Sequence, residues 1–205
     1  MKRALAILLL AIVTGSALAL LMAKERAGRL VHAEFAGLKF VFDSAYARDD
    51  VTAGGGLSDR LAFLVSFPSF GPPSTADGEI IRMTLSPIGD APDPEDRPAK
   101  LYARFLTAET LEGPGGLVLR EFEPDSPYET EELLLAPPDG RAFFARCPKP
   151  QLGAPGEGCL SVFRAGPIEV ELRYPPAILE RWDALYEGSR GLLGRMQAQP
   201  KRSGR

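Results

Sequence analysis

The sequence predicts an α+β fold: an antiparallel sheet, built as a meander of hairpins, covered by two helices and preceded by one N-terminal apolar helix. Three observations predict it. Short segments with alternating apolar residues recur along the chain, and turns rich in proline and glycine join consecutive segments. Two longer segments carry apolar residues at helical spacing. Strands joined by short turns pair antiparallel, and helices must cover the sheet that they form.

The N-terminal element is an uncharged run that begins at Ala4 and ends at Ala23, behind Lys2 and Arg3. A helix of this length spans about 30 Å, enough to cross the hydrocarbon core of a bilayer. The run also contains an A-x-A-like cleavage site, Ala17-Leu18-Ala19, so a cleaved signal peptide and an uncleaved signal anchor both fit. The anchor is favoured, because cleavage would leave an apolar stub on the mature chain. No cysteine lies directly after the run, which excludes a lipoprotein anchor.

The chain divides into three regions. Residues 1–29 form the signal anchor or signal peptide with a short linker, residues 30–196 form the folded domain, and residues 197–205 form a basic tail that is predicted to be disordered. Positive charges flank both ends of the apolar run, so the positive-inside rule alone does not fix its orientation. A very short charged N-terminal tail is hard to translocate, however. We therefore expect a single-pass inner-membrane protein whose folded domain lies in the periplasm.

The elements of the domain follow in order. Apolar residues alternate over 38–43, 60–67 and 79–86, and the second run is apolar on both faces, which is typical of a central strand. A helix is predicted within 89–109, where Asp96 can cap and Pro98 falls in the first turn. Five strands are then predicted, at about 116–123, 130–136, 141–147, 159–164 and 167–174. An amphipathic helix over 175–196 closes the domain, and we expect its second half to fray at Gly188, Gly191 and Gly194.

Charge excludes one class of partner. The formal net charge of the chain is −3, but residues 30–194 hold 26 acidic and 15 basic residues, a net of −11 (15 − 26). An acidic domain repels phosphate backbones, so nucleic-acid binding is not expected.

The sequence carries no specific catalytic, cofactor-binding or metal-binding signature. His32 is the only histidine, which forbids most zinc-enzyme ligand sets. The chain lacks the G-x-S-x-G and S-x-x-K motifs of serine nucleophiles and the glycine spacing of phosphate-binding loops. Glu169 and Glu171 share one face of a predicted strand and could pair as acid and base, although a solvated outer face is the simpler interpretation. We therefore assign no catalytic residue, no cofactor and no metal.

The two cysteines, Cys147 and Cys159, are predicted to form a disulfide. Their C-x11-C spacing is wrong for a zinc knuckle and for a C-x-x-C redox motif. Cys147 closes one predicted strand and Cys159 opens the next, so an antiparallel hairpin would bring them together. A bridge that closes the intervening loop stabilises the fold by about 3 kcal/mol on the chain-entropy model. Two unpaired thiols in a cytoplasmic protein are the alternative.

Phe67 and Phe70 are the candidate partner contacts. They lie in the proline-rich segment SFPSFGPPSTADG, where exposed aromatic side chains could anchor another protein. The favoured alternative is that Phe70 packs against the core.

A leading strand with aromatic residues, two further strands, a helix, a long meander and a closing helix give residues 31–196 an element order that resembles the PsbP-like fold. The closing pattern, RCPKP…GCLSVFRAGPIEVELRYPPAILERWDAL, is similar to uncharacterised single-pass envelope proteins of alphaproteobacteria. These resemblances imply binding or accessory roles and carry no enzymatic activity. We therefore expect a membrane-anchored envelope protein that acts by binding, with another envelope protein as its partner. The alternatives are a hydrolase that uses carboxylates in a cleft of the sheet, and an anchored carrier of a small ligand or lipid.

Overall fold

The computed structural model describes residues 28–73, 78–150 and 158–197. These residues form two β-sheets and one long α-helix, so the predicted α+β class is confirmed. The predicted apolar helix and the tail from residue 198 onward lie outside the described residues. In the part of the chain that is described, no helix is both long and apolar enough to span a bilayer.

The first sheet has three strands. β1 (Leu30–Phe35) forms a hairpin with β2 (Leu38–Asp43), and the two-residue β3 (Gly56–Leu57) pairs in parallel with the other edge of β1. A short helix, α1 (Asp50–Gly54), lies in the connection from β2 to β3. Alternation along β1 buries every second side chain against the core and leaves the others, including His32, on an exposed outer face.

The second sheet has eight strands, and all their pairings are antiparallel. In chain order they are β4 (Leu61–Phe67), β5 (Glu79–Pro87), β6 (Leu111–Glu112), β7 (Val118–Glu121), β8 (Glu131–Leu135), β9 (Phe144–Pro148), β10 (Cys159–Ala165) and β11 (Ile168–Tyr174). In space the order is β4-β5-β11-β10-β9-β8-β7-β6. The strands from β7 to β11 therefore form the predicted meander, and the two-residue β6, which was not predicted, extends it at the edge of the sheet. The β4–β5 hairpin joins the meander through β11, a long-range pairing for which the sequence contains no turn signal.

The main core lies between the large sheet, the small sheet and the closing helix. After a 3-10 turn at Pro176–Arg181, the helix α2 (Trp182–Met196) continues through all of its glycines. The expected fraying of its second half is therefore wrong. Gly188 allows close packing of α2 against Phe70, because the ring of Phe70 fills the space that a β-carbon at this position would occupy.

A series of short turns replaces the helix predicted within 89–109. A 3-10 turn at Pro94–Asp96, a π-helical turn at Pro98–Tyr102 and a second 3-10 turn at Ala103–Phe105 follow one another. The physical reason is that Pro98 lacks the N–H that would bond to the carbonyl of Pro94, and its ring clashes with that carbonyl, so a regular α-helix that begins at Pro94 cannot continue through it. The segment still covers the sheet, because it contributes to a second apolar cluster with buried members Tyr102, Phe122, Leu133 and Phe144.

Candidate functional site: a cleft between two strands

β9 and β10 are held together at one end only. In the described structure a single bridge, between Leu160 and Arg146, joins the two strands. The Cys147–Cys159 disulfide closes the next position, with Cα atoms 4.1 Å apart, and both cysteines are buried. The predicted disulfide is therefore confirmed, and it lies at the closed end of this strand pair.

Beyond the bridge the two strands diverge and leave a cleft. Continuing the same register would set residues 162–164 opposite residues 144–142, yet no ladder pair joins these two described stretches. Both stretches line a cavity of about 360 Å³. In an antiparallel sheet, alternate residues of a strand direct their backbone N–H and C=O groups toward one neighbouring strand and the residues between them toward the other. On both sides of the cleft, the backbone groups that face it are therefore not paired with a neighbouring strand.

The floor of the cleft is apolar and aromatic. Phe143, Phe163 and Leu172 are buried there. Tyr186 of α2 packs edge-on against the two phenylalanine rings, with centroids 6.4 and 5.4 Å away. An apolar lining with a few polar groups is typical of a site that binds a ligand.

Three arginines lie around the cleft. Arg164 forms an ion pair with Asp93, and Arg141 forms one with Glu95 at 3.2 Å. Arg190 of α2 has no ion pair with any carboxylate of the described residues, and its guanidinium donates instead to a carbonyl and a hydroxyl oxygen. The positive charge of the cleft is therefore only partly neutralised by the protein.

Ser161 is one of the residues that line the cleft, and it carries a buried hydroxyl. This hydroxyl and that of Tyr174 lie 2.6 Å apart and share one hydrogen bond. Burial raises the pKa of Tyr174 well above its ordinary value, so the phenol stays protonated at neutral pH. Two hydroxyls carry two hydrogens and the bond between them uses one, so the pair retains one donor.

The two candidate partner contacts predicted from the sequence are buried. Phe67 and Phe70 are 2% and 8% exposed, and their rings meet edge-on with centroids 5.8 Å apart. Phe70 packs against Gly188, and the guanidinium of Arg181 lies over the ring of Phe67. This corrects the prediction of exposed aromatic anchors. The physical reason is that Gly188 in α2 leaves space for the ring of Phe70. Phe70 therefore packs against the core, as the favoured alternative in the sequence analysis expected.

Glu169 and Glu171 share a strand face as predicted, but each has its own cationic partner. Glu169 is ion-paired at 2.5 Å with Arg97, whose side chain is 9% exposed, and Glu171 is ion-paired at 2.8 Å with Arg173. No group of three or more His, Cys, Asp or Glu side chains within the described ranges could hold a metal ion.

The outer face of the small sheet is a second exposed surface. It carries His32, Glu34 and Lys39 together with Leu57, which is 87% exposed, around a shallow depression. His32 therefore lies on the surface of a strand, away from the cleft between β9 and β10.

No sequence motif marks the residues that line the cleft. Its lining comes from four segments of the chain, namely residues 93–95, residues 141–144, strands β10 and β11, and helix α2. Charge gave no signal either, because Arg141, Arg164 and Arg190 are three of the 12 arginines in residues 30–194. Nothing in the sequence indicated that they would meet.

No protein-family model matches the chain, and no curated protein matches it in sequence. The fold does match a solved structure, that of Smlt3025, an immunity protein of the Stenotrophomonas maltophilia type IV secretion system. The TM-score is 0.61 and the sequence identity is 14%, and the match covers 84% of this chain and 95% of the other. At this identity the likeness concerns the fold alone.

Proposed function

We propose that this chain is an accessory protein of the cell envelope that acts by binding another protein, and that the cleft between β9 and β10 admits an extended segment of that partner. The observation that carries the proposal is the pair of open strand edges on either side of the cavity. An extended peptide can add itself to such an edge, where main-chain hydrogen bonds provide affinity and pockets for side chains provide specificity.

The disulfide supports an oxidising compartment, because structural disulfides persist in the envelope and are rare in the reducing cytoplasm. Within this proposal the domain is periplasmic, and the apolar run that ends at Ala23 holds the chain in the inner membrane. The fold shared with an immunity protein of a secretion system agrees with a role in which one protein binds another. We also propose, from the sequence alone, that the chain resembles PsbP-like proteins and single-pass envelope proteins of alphaproteobacteria, a resemblance that implies the same kind of role.

A carrier of a small ligand is the second candidate function. The cavity of about 360 Å³ falls at the lower end of the usual range for ligand pockets, roughly 300–1,000 Å³. A carboxylate-dependent hydrolase has less support, because such an enzyme needs titratable groups that converge in a pocket. The two carboxylates in the cleft, Asp93 and Glu95, are each engaged by an arginine.

Site-specific crosslinking tests the docking place. A photoreactive phenylalanine analogue replaces either Ala142 on the β9 side of the cleft or Tyr186 on the α2 side, in the full chain within its own membrane. Ala184 is the matched control position, because it is exposed on α2 and lies outside the cleft lining. We expect both cleft positions to capture the same short segment of one protein, and the control position to capture none of it.

Steric blocking provides the complementary test. The substitution Ala142→Trp should abolish capture at Tyr186, because the indole fills the entrance to the cleft, whereas Ala184→Trp should leave capture unchanged. Unrelated peptides captured from the two cleft positions, or equal capture from position 184, would contradict the proposed docking place.

A further inference from the structure

The lining of the cleft is positive within a negative domain. Its charged side chains are three arginines and two carboxylates, whereas residues 30–194 carry 11 more acidic than basic residues (26 − 15). Asp93 is already paired with Arg164, and Arg141 is paired both with Glu95 and with Asp96, which lies beside the lining. The positive charge that remains is that of Arg190.

Arg190 is oriented by aromatic rings rather than by a carboxylate. Its guanidinium lies over the rings of Phe163 and Tyr186, 5.7 and 5.5 Å from their centroids. The hydrogen bonds that it donates, to the carbonyl oxygen of Arg164 and the hydroxyl of Tyr186, are both long at 3.4 Å. Stacking fixes the plane of the guanidinium, and its five N–H donors leave it able to bind a carboxylate through two parallel hydrogen bonds.

The side-chain groups near the cleft that have spare hydrogen-bonding capacity are also donors. The Ser161–Tyr174 hydroxyl pair retains one O–H, and the Nε of Arg164 is buried without a hydrogen-bond partner in the described structure. A buried donor without an acceptor costs free energy, so a ligand rich in acceptor oxygens is favoured over a cationic one.

We propose that the cleft recognises a carboxylate attached to an apolar body, and that Arg190 binds the carboxylate. The proposal rests on the function proposed above: the carboxylate is that of an acidic side chain within an extended segment. The apolar neighbour of that carboxylate enters the floor formed by Phe143 and Phe163.

Three probes test the proposal on the full chain in detergent micelles, with binding followed by amide chemical shifts. The first is the pentapeptide Thr-Val-Glu-Val-Thr, acetylated and amidated so that the glutamate carries its only carboxylate. The second replaces glutamate by glutamine, which has the same shape without the charge. The third is phenylacetate, a free small carboxylate with an aromatic body.

We expect the glutamate peptide to shift the resonances of residues 162–164 and of α2 around Arg190. It should bind about two- to fivefold more tightly than the glutamine peptide, because Arg190 is exposed and an exposed ion pair contributes less than about 1 kcal/mol. Arg190→Gln should abolish this preference. Arg190→Lys should retain part of it, because an ammonium keeps the charge but loses the planar, stacked geometry. Arg195→Gln is the matched control, because it removes the same charge from the same helix outside the cleft lining, and it should leave the preference intact.

Equal affinity for the two peptides, or a preference that survives in Arg190→Gln, would overturn the carboxylate proposal. If the preference is absent while crosslinking from Ala142 and Tyr186 still captures one segment, the carboxylate proposal is wrong and the proposed function stands. If neither peptide binds and phenylacetate binds in the cleft of the wild type but not of Arg190→Gln, Arg190 is supported as a carboxylate-binding residue and the docking of an extended segment is replaced by the carrier function.

Discussion

Removing the disulfide tests how the large sheet is held together beside the cleft. The crosslink joins residues 12 positions apart and lies next to the single described bridge between β9 and β10. We expect reduced wild-type protein, and the double variant Cys147→Ala/Cys159→Ala, to lose about 3 kcal/mol of unfolding free energy, because the crosslink no longer restricts the unfolded chain. For a chain of this size that loss lowers the melting temperature by roughly 6–12 °C.

The assay is thermal unfolding followed by circular dichroism, with and without a reductant, on the wild type and on the double variant. Reductant should lower the melting temperature of the wild type and leave that of the double variant unchanged. Comparing the reduced wild type with the double variant separates loss of the crosslink from loss of the buried sulfur atoms, because only the variant lacks the sulfurs.

The effect on the native state should be local. Amide hydrogen exchange should accelerate in β9 and β10, which keep one bridge between them, and should be unchanged in the β4–β5 hairpin, which is paired along the whole of β4. A melting temperature that does not respond to reductant, in protein whose intact mass shows both thiols reduced, would refute the reasoning. Free thiols in protein isolated from the envelope would refute the assignment to an oxidising compartment.

Three further predictions concern packing and charge, each measured by thermal or denaturant unfolding. Gly188→Ala should destabilise the fold by about 1–3 kcal/mol through overpacking against a buried phenylalanine ring. Its control Gly194→Ala, where a β-carbon meets nothing within 4 Å, should stabilise the helix by about 0.5–1 kcal/mol. Glu169→Gln should cost about 1–3 kcal/mol, because it leaves a buried guanidinium without its carboxylate, whereas Glu171→Gln removes an exposed ion pair and should cost less than about 1 kcal/mol. Burial, followed by a neighbouring carboxylate, raises the pKa of Glu132, so folding favours its protonated form and ionisation at neutral pH destabilises the fold. Glu132→Gln should therefore raise the melting temperature at neutral pH, and the gain should shrink as the pH falls through the raised pKa and vanish below the ordinary value of 4.5.

Each of these predictions has an opposite outcome that would contradict it. Equal effects of alanine at positions 188 and 194 would mean that the phenylalanine ring does not pack on the helix as described. Equal losses at positions 169 and 171 would mean that burial does not distinguish the two ion pairs. A gain from the substitution at position 132 that is independent of pH would exclude ionisation as its cause.

Strand positions were predictable because their signal is local. Alternation over 61–67, 79–86 and 167–174 and the turn between β10 and β11 depend on neighbours in the chain, and the structure has strands there. The same logic failed over 89–109, where the spacing of apolar residues indicated a helix and the two prolines interrupted it. The effect of the glycines on α2 was predicted wrongly, because helix propensity describes an isolated helix. In the folded protein the ring of Phe70 packs against Gly188.

The candidate site was predictable only in part. The disulfide followed from the position of each cysteine at the end of a predicted strand, and it now marks the closed end of the cleft. The phenylalanines at positions 67 and 70 were named as possible partner contacts, and burial of Phe70 was the favoured alternative, which the structure bears out. The sequence could not show which glycine would leave room for the ring. Arg190 was not singled out, because its importance depends on which carboxylates lie near it in space.

The sequence by itself determined the α+β class, the meander from β7 to β11, the acidic character of the domain and the pairing of its two cysteines. These properties depend on composition or on residues close together in the chain. Only the tertiary structure decided that β5 pairs with β11, that the candidate aromatic contacts are buried, and that β9 and β10 separate into a cleft beside an arginine without a carboxylate partner among the described residues. The physical reason is that each of these features joins segments far apart in the chain, and their packing is settled by the shape and charge of partners that local sequence does not specify.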